Sequence, residues 1–525
     1  MKRATTRSSV VLTGGLASLL LFAGCPRSKS QRPIDGQPVV VVGDPDDTAA
    51  IDEREPNDSL KTAQELHLGH PLTAEIGGAK AQRDVFRLVL TDAGVLRAST
   101  SGASDVDLVL GVRAADGRRL VSVDNSRVGG GEILTNLSVD RGTYYLEVRS
   151  KPDVAKAARY KLEATLHAAD PAAEVELNDQ PASATPLQLG GQVVGYLGWR
   201  GDTDWYRLTL KERLPGALLQ LDIDGVDDVP IDLGVRIDPT KRWIDRRAAA
   251  GQSISLRNIA LPPQASDVFI VVRGGAANVE AQYGLVADVV VPATPTEHEP
   301  NDTTTTAQPL PASAMIWGAI DGRRDRDLFR PAATVAAELR PPAGVDLALA
   351  VIDAAGKIHW LVDAEGAGGA ERIPAFVPGQ DAAYLAVLSK RAVGVVGSYQ
   401  LQLKPLTGRF ETEPNVKQAS SLADGLTQGF IHPRGDVDLY RISARRAWIS
   451  ISQGGRSAPI EIELLDKAGR SLRKAVSTAQ KVVTIAVEEG MLLRLSGAAD
   501  SSQGYQIQQL PTASATAPAP SAPRP

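Results

Sequence analysis

The stretch Glu53-Arg54-Glu55-Pro56-Asn57-Asp58 is written four times in the chain. It returns as EVELND from Glu174, EHEPND from Glu297 and ETEPNV from Glu411. From Glu55 to Glu176, then to Glu299 and Glu413, the steps are 121, 123 and 114 residues. Other landmarks return in the same order. About 27 residues after each motif stands an Asp-x-aromatic signature: RDVFRLVL, TDWYRLTL, RDLFRPAA and VDLYRISA. An acidic residue inside an apolar run follows (DVDLVLGV, PIDLGVRI, GVDLALAV, APIEIELL), and each copy closes on two alternating segments, TYYLEVRS and ARYKLEATL in the first. Alternation of apolar and polar residues between turn signals is the pattern of half-buried strands. A period above a hundred residues is too long for one solenoid coil and fits one small domain per copy. The expectation is therefore an all-β chain of four tandem β-sandwich, jelly-roll-like domains at 51–168, 172–291, 295–405 and 409–511. The junctions PAAE, PATPTE and LTGRFE are short, which predicts a semi-rigid string.

Length and composition agree with several domains rather than one. A chain of 525 residues exceeds what a single core fills. Its 48 glycines and 34 prolines, with few helix-period stretches, lean toward β structure. The formal net charge of -5 gives no reason to expect a nucleic-acid partner.

The two ends read differently from the middle. Lys2, Arg3 and Arg7 precede an apolar run from Val10 to Phe22, and Ala23-Gly24 stands directly before Cys25. That is the layout of a secretory signal over 1–24. The LFAGC ending resembles a bacterial lipobox, which makes Cys25 the expected lipidated N-terminus of the mature chain; an ordinary signal with a chance cysteine is the alternative. Several acyl chains at one residue anchor firmly to a membrane. Pro26, where inner-membrane retention would have Asp, favours a cell-envelope location at the outer membrane by resemblance to Gram-negative lipoprotein sorting. Residues 25–50 read as a flexible tether and 512–525 as a Pro/Ala tail without fixed structure.

The repeated motif carries chemistry. In an extended segment, side chains two apart share a face, so Glu-x-Glu aims two carboxylates the same way. Pro-Asn-Asp is turn chemistry that can swing further oxygens toward them. The Asp-x-Asp before the aromatic strand adds Asp202 with Asp204, Asp325 with Asp327, and Asp436 with Asp438. If the two stretches meet, like charges crowd together and a cation relieves the repulsion. An all-oxygen set suits calcium; the lack of Cys and His argues against zinc or copper. The same residues also read as a solvated edge, a turn and a strand cap.

E-P-N-D, a later G-D-x-D-aromatic, a mid-domain D-L and a closing Y-x-L together resemble the bacterial pre-peptidase C-terminal domain, over about residues 51–510. The resemblance implies β-sandwiches akin to the collagen-binding domain of clostridial collagenases, in which Glu-x-Glu-x-Asn-Asp and a later Asp bind calcium. Carried over, the second copy supplies Glu174, Glu176, Asn178, Asp179 and Asp204, with Asp202 as an addition. The third supplies Glu297, Glu299, Asn301, Asp302 and Asp327, with Asp325. The first keeps Glu53, Glu55, Asn57, Asp58 and Asp84 but has Gln82 where the others have Asp. The fourth keeps Glu411, Glu413, Asn415 and Asp438 but has Val416 in place of the motif's Asp. Calcium is expected chiefly in the second and third copies.

No catalytic constellation is legible, and the chain is expected not to be an enzyme. His298 in HEPND lacks the second His of a zinc-protease helix. No G-x-S-x-G elbow and no phosphate-binding loop occurs. The lone Cys25 is assigned to the anchor. Two functional classes remain: a binding or adhesion module for a protein or polysaccharide, and a spacer or accessory of a secreted-peptidase system. Exposed aromatic or apolar patches would favour the first. Of the tryptophans Trp199, Trp205, Trp243, Trp317, Trp360 and Trp448, most are expected to be buried or partly so.

Overall fold

A computed structural model describes residues 51–77, 83–151, 157–210, 215–238, 243–261, 266–322, 325–379, 383–389, 397–413, 419–422, 424–432, 435–454, 458–497 and 504–510. The signal segment, Cys25, the tether, Gln82, Asn415, Val416 and the tail lie outside these residues.

The chain is nearly all β. Among the described residues the one helical turn is a 3₁₀ segment at Pro181–Ser183. The alternation read in the sequence becomes alternation of burial: in Ile460–Leu465 and Val483–Glu488 buried and less buried residues succeed one another. Central strands such as Leu347–Ile352 are buried on both faces and read as unbroken apolar runs.

The same pair of sheets is built four times. In the third copy one sheet orders its strands as 308–310, 326–331, 384–389, 347–352 and 358–362, and the other as 314–318, 399–405, 335–340 and 371–376. The first, second and fourth copies repeat this order; the first adds Ile51–Asp52 to its second sheet. Each pair closes on one apolar cluster. In the first copy Leu72, Leu96 and Leu162 of one sheet meet Phe86, Leu110, Leu146 and Val148 of the other. Burial of such side chains contributes about 1.5–3 kcal/mol each relative to exposure.

The expectation of four discrete sandwiches needs correction. The first three copies are hydrogen-bonded into one another, and the described residues form a single compact unit, a solenoid-like succession of sheets. The cause is the repeated motif itself. Its extended Glu-x-Glu segment lies parallel to the last strand of the second sheet in the copy before it, pairing Leu137 with Glu176 and Ile259 with Glu299. The Glu176 amide donates to the Asn136 carbonyl at 2.9 Å, and the Ser138 amide donates to the Glu176 carbonyl at 2.6 Å. The Glu299 amide donates to the Asn258 carbonyl and the Ala260 amide to the Glu299 carbonyl, both at 2.9 Å. Exposed strand edges are thereby paired rather than left open. Apolar packing crosses the first seam as well: Trp199 of the second copy packs on the core of the first.

At one ladder position a glycine faces a tyrosine in three of the copies. Gly195 pairs with Tyr283, Gly318 with Tyr399 and Gly429 with Tyr505. A side chain at Gly318 would collide with the Tyr399 hydroxyl and bring a carbon within 2.5 Å of a Glu297 oxygen. The missing Cβ makes room for the tyrosine and the glutamate together. In the first copy Ala74 stands opposite Tyr160 instead. Gly318→Ala is therefore expected to overpack the third copy and cost about 1–3 kcal/mol, read from denaturant midpoints. A change below about 0.5 kcal/mol would show that the ring swings aside freely.

Candidate metal centre

Acidic side chains converge once in every copy. Glu53, Glu55 and Asp84 form the first group, Glu174, Glu176 and Asp204 the second, Glu299, Asp302 and Asp325 the third, and Glu411, Glu413 and Asp438 the fourth. Within each group one oxygen per residue lies within 4.8 Å of the others. These are the groups of this kind found among the described residues. His67 and His70 meet edge to face, with ring centroids 6.3 Å apart, and join none of them.

The backbone explains the convergence. The motif turns sharply after its second glutamate, with cis peptide bonds at Glu55-Pro56, Glu176-Leu177 and Glu299-Pro300. The Asn amide then donates back to that glutamate: Asn57 to Glu55 at 2.8 Å, Asn178 to Glu176 and Asn301 to Glu299 at 3.0 Å. The Asn carbonyl accepts from the aromatic strand, from Val85, Trp205 and Leu328 at 3.0–3.1 Å. This bond joins the two stretches that sequence spacing could only suppose to meet.

The second copy holds the most enclosed uncompensated set. Glu174, Glu176, Asp202 and Asp204 are each at most 2% exposed. Glu174 accepts from the Tyr196 amide at 2.7 Å, Asn178 Nδ2 at 2.8 Å and Asn136 Nδ2 at 3.0 Å. Asn136 belongs to the preceding copy. The Tyr283 hydroxyl donates to Asp204 at 2.5 Å and lies 2.6 Å from the Tyr206 hydroxyl. Glu176 Oε1, Asp204 Oδ1 and Asn178 Oδ1 are buried with no hydrogen-bond partner. Burial, followed by repulsion from neighbouring carboxylates, pushes Glu176 up to about 10 and Asp202 up to about 8. Burial also raises Glu174 to about 7, and raises Asp204 far above the usual carboxylate range. Asp202 sits beside the converging group rather than in it: the Gly198 and Thr203 amides donate to its two oxygens at 2.6 and 2.9 Å. Asp179, half-buried, is likewise outside the group.

The third copy has the same motif and a different arrangement. The Tyr399 hydroxyl lies 2.8 Å from Glu297 and within hydrogen-bond distance of Asp327, with one proton to share between them. Asn258 Nδ2 of the preceding copy donates to Glu297 at 3.1 Å. Here Asp302 and Asp325, rather than Glu297 and Asp327, complete the group around Glu299. Arg246, from the second copy, lies 2.8 Å from Asp325 and 3.5 Å from Asp302. Glu299 Oε1 and both side-chain polar atoms of Asn301 are buried without a partner.

The first and fourth copies frame these two. In the first, Glu55 and Asp58 are exposed. Tyr160 donates to Asp84 at 2.5 Å, and burial raises Asp84 to about 7. In the fourth, the Tyr440 and Tyr505 hydroxyls lie 2.9 and 2.8 Å from Glu411, and the Tyr505 hydroxyl also lies 2.6 Å from Asp438. Its acids converge although Val416 replaces the motif's Asp, because that position is outside the converging set in the second copy too.

Donor chemistry differs between the two central copies. In the second, the set is all oxygen, has orphaned buried atoms and, among the described residues, no ion pair to any of its four buried carboxylates; it fits a hard cation. In the third, a guanidinium already lies on two of the three carboxylates. Sequence reading missed the tyrosines, the seam asparagines, Arg246 and the buried Asp321. The tyrosines had a signal, since each closing segment carries one at the same place. Among the tryptophans, Trp205 is buried, Trp199, Trp243, Trp360 and Trp448 are half-buried, and Trp317 is exposed, so no exposed coplanar set forms.

No family model matches the chain. Solved structures similar to it include the pre-peptidase C-terminal domain of collagenase from Bacillus anthracis, at 15% identity over 20% of this chain and 94% of that one, with a TM-score of 0.17. A putative secreted protein from Eubacterium rectale is similar at 10% identity over 42% of this chain and 74% of that one, with a TM-score of 0.15. Scores this low do not equate the folds. Over 68 residues the chain is 40% identical to the UPF0386 protein mll0189 of Mesorhizobium japonicum, a match covering 13% of this chain and 69% of that protein. Through that 68-residue segment the chain belongs to the UPF0386 family, a name that assigns no activity.

Proposed function

We propose that the chain is a non-catalytic, lipid-anchored protein of the cell envelope that binds calcium in its second copy and presents its stacked sheets to a protein or polysaccharide ligand. The two-sheet units are read as sandwiches of the pre-peptidase C-terminal type, on the ordered motifs of the sequence. Cys25 is read as the anchor and the outer membrane as its location, on the signal alone.

The observation that carries the calcium reading is the enclosed group of Glu174, Glu176 and Asp204 with its orphaned oxygens. Leaving several carboxylates buried and ionised without a partner is costly, several kcal/mol per charge. A divalent cation removes that cost. Glu174, Glu176 and Asp204 would hold it, with Asn178 at hand as a neutral oxygen donor. The ion's chemistry there is charge neutralisation alone. Because Glu174 and Glu176 also bond to Asn136, loading this group tightens the seam between the first two copies.

A patch at the next seam favours ligand binding over a bare spacer. Met315 and Trp317 project from the same face of an edge strand and are 46% and 38% exposed. A cleft of about 240 Å³ beside Trp317 is lined by Asn258, Val290, Thr296 and Ser398. An exposed apolar group in a concave seam is the kind of surface that takes a partner.

Thermal unfolding of the full chain in calcium and in EDTA tests the first part. A ligand of the folded state raises stability by about 2.7 kcal/mol at a hundredfold excess over its Kd. The melting temperature is expected to rise with calcium, and Glu176→Gln with Asp204→Asn is expected to abolish the rise while leaving the EDTA value equal or higher. No shift at millimolar calcium would refute the reading.

The ion-free chain should also respond to pH in a definite direction. Glu174, Asp202 and Glu176 have folded pKa values raised to about 7, 8 and 10. A group whose folded pKa is raised stabilises below its unfolded pKa and loses that contribution as pH rises through the folded value. In EDTA the melting temperature is therefore expected to fall between pH 6 and 9, each retained proton adding about 1.4 kcal/mol per pH unit to the slope. A flat profile would show that these carboxylates do not carry the protons.

A further inference from the structure

We propose that Arg246 is the resident cation of the third site: its guanidinium lies on two of the carboxylates that converge there and neutralises them in place of a divalent ion, so two sites alike in motif differ in occupant. The inference rests on the calcium reading for the second site and concerns the residues of the third.

The geometry is specific. Arg246 Nη2 donates to Asp325 Oδ1 at 2.8 Å and lies 3.5 Å from Asp302 Oδ2. These are two of the three carboxylates that converge in the third copy. The Arg246 side chain is 12% exposed and Asp325's is 0% exposed, so the pair is withdrawn from water. Burial alone would disfavour the charged guanidinium; Asp325, Asp302, Glu299 and Asp321 outweigh it and hold the proton more firmly than usual. In the second copy no described ion pair reaches the equivalent acids, and Glu176 is left to repel Asp202 and Glu174.

The position of Arg246 in its own sheet separates this from a chance surface pair. Leu233 stands directly opposite it in the ladder. The equivalent partners are Val123 opposite Leu110, Val362 opposite Leu349 and Ala475 opposite Ile462. Directly opposed residues share a face of the sheet. Val123 and Val362 are fully buried there, so the second copy has a cation where its neighbours have a core valine. Its stem runs past the apolar edge and its head reaches the acids of the next copy. The loop that receives it is altered to match: Asp321 accepts from the Arg257 amide at 2.7 Å and donates its own amide to Asp325. Gly198 holds that place in the second copy, donating to Asp202.

A buried guanidinium excludes a divalent ion from the same oxygens, both by volume and by charge. The test is calcium stoichiometry of the full chain by calorimetric titration, with folding checked by circular dichroism. Arg246→Ala is expected to bind one more calcium ion per chain than the parent. Arg246→Gln, which keeps the length and donors without the charge, is expected to do the same and is read if the Ala variant does not fold. Arg246→Lys is expected to keep the parent's count. A folded Ala or Gln variant with the parent's count overturns the proposal. The parent's own count tests the second site separately: a parent that binds calcium with unchanged variants defeats this inference alone, and a parent that binds none while the variants bind one defeats the calcium reading of the second copy and upholds this one.

Discussion

Carboxylates packed together out of water must be neutralised, and the rest of the molecule is arranged around that demand. Each copy brings an Asp from the aromatic strand against a buried tyrosine hydroxyl, and in the second, third and fourth copies a Glu of the motif reaches the same hydroxyl. A hydroxyl can donate only once, so one tyrosine cannot satisfy two ionised acids. The remaining charge has to be met by protons, by a cation or by donors brought from elsewhere. Different copies use different members of that set, and the differences lie at the seams.

The strands and their tandem repetition were legible in the sequence because side-chain alternation maps directly onto the two faces of a sheet. The acids were legible too, since Glu-x-Glu and Asp-x-Asp fix which side chains share a face. Their grouping was not. Asp202 and Asp204 are equivalent by spacing, yet backbone amides take both oxygens of the first while the second enters the converging set. That choice depends on where the Gly198 loop closes, a tertiary fact. Nor could junction length reveal hydrogen bonding. PAAE and PATPTE look like short linkers, but the glutamates just beyond them pair with a strand of the preceding copy. A linker's length bounds how far two units can separate and says nothing of whether they are bonded.

Asn136 and Asn258 show why the seam was hidden. Each lies at a bulge in its strand, where the register shifts between Leu134 and Leu137 and between Leu256 and Ile259. Asn258 takes a left-handed backbone conformation, with φ 56°. A bulge re-aims a side chain away from its own sheet. Here it aims the amide at a glutamate 38 or 39 residues further on, in the next copy. In sequence both asparagines stand next to another polar residue in a mixed strand, ILTNLSV and ISLRNIA, with nothing to mark the partner. At the same ladder position the third copy has Ala375, and Phe430, Tyr440 and Tyr505 of the fourth copy itself lie within hydrogen-bond distance of Glu411.

Divergence among repeats is often read as drift in units kept only for length. The replacements here argue against that, because they change in concert across seams. Where the second copy supplies Arg246, the third answers with Asp325 and Asp302, and adds Asp321 in the loop beside them. Where the first supplies Val123 at the same ladder position, the loop of the second has the uncharged Gly198. Where the third supplies Val362, the loop of the fourth has His432, edge to face with Trp360 of the third at 6.0 Å. An arginine without those acids would be a buried charge unpaired, and the acids without a cation would repel one another. Neither change is tolerable alone at small cost, so each seam behaves as a unit, and the four copies are interchangeable in fold but not in order.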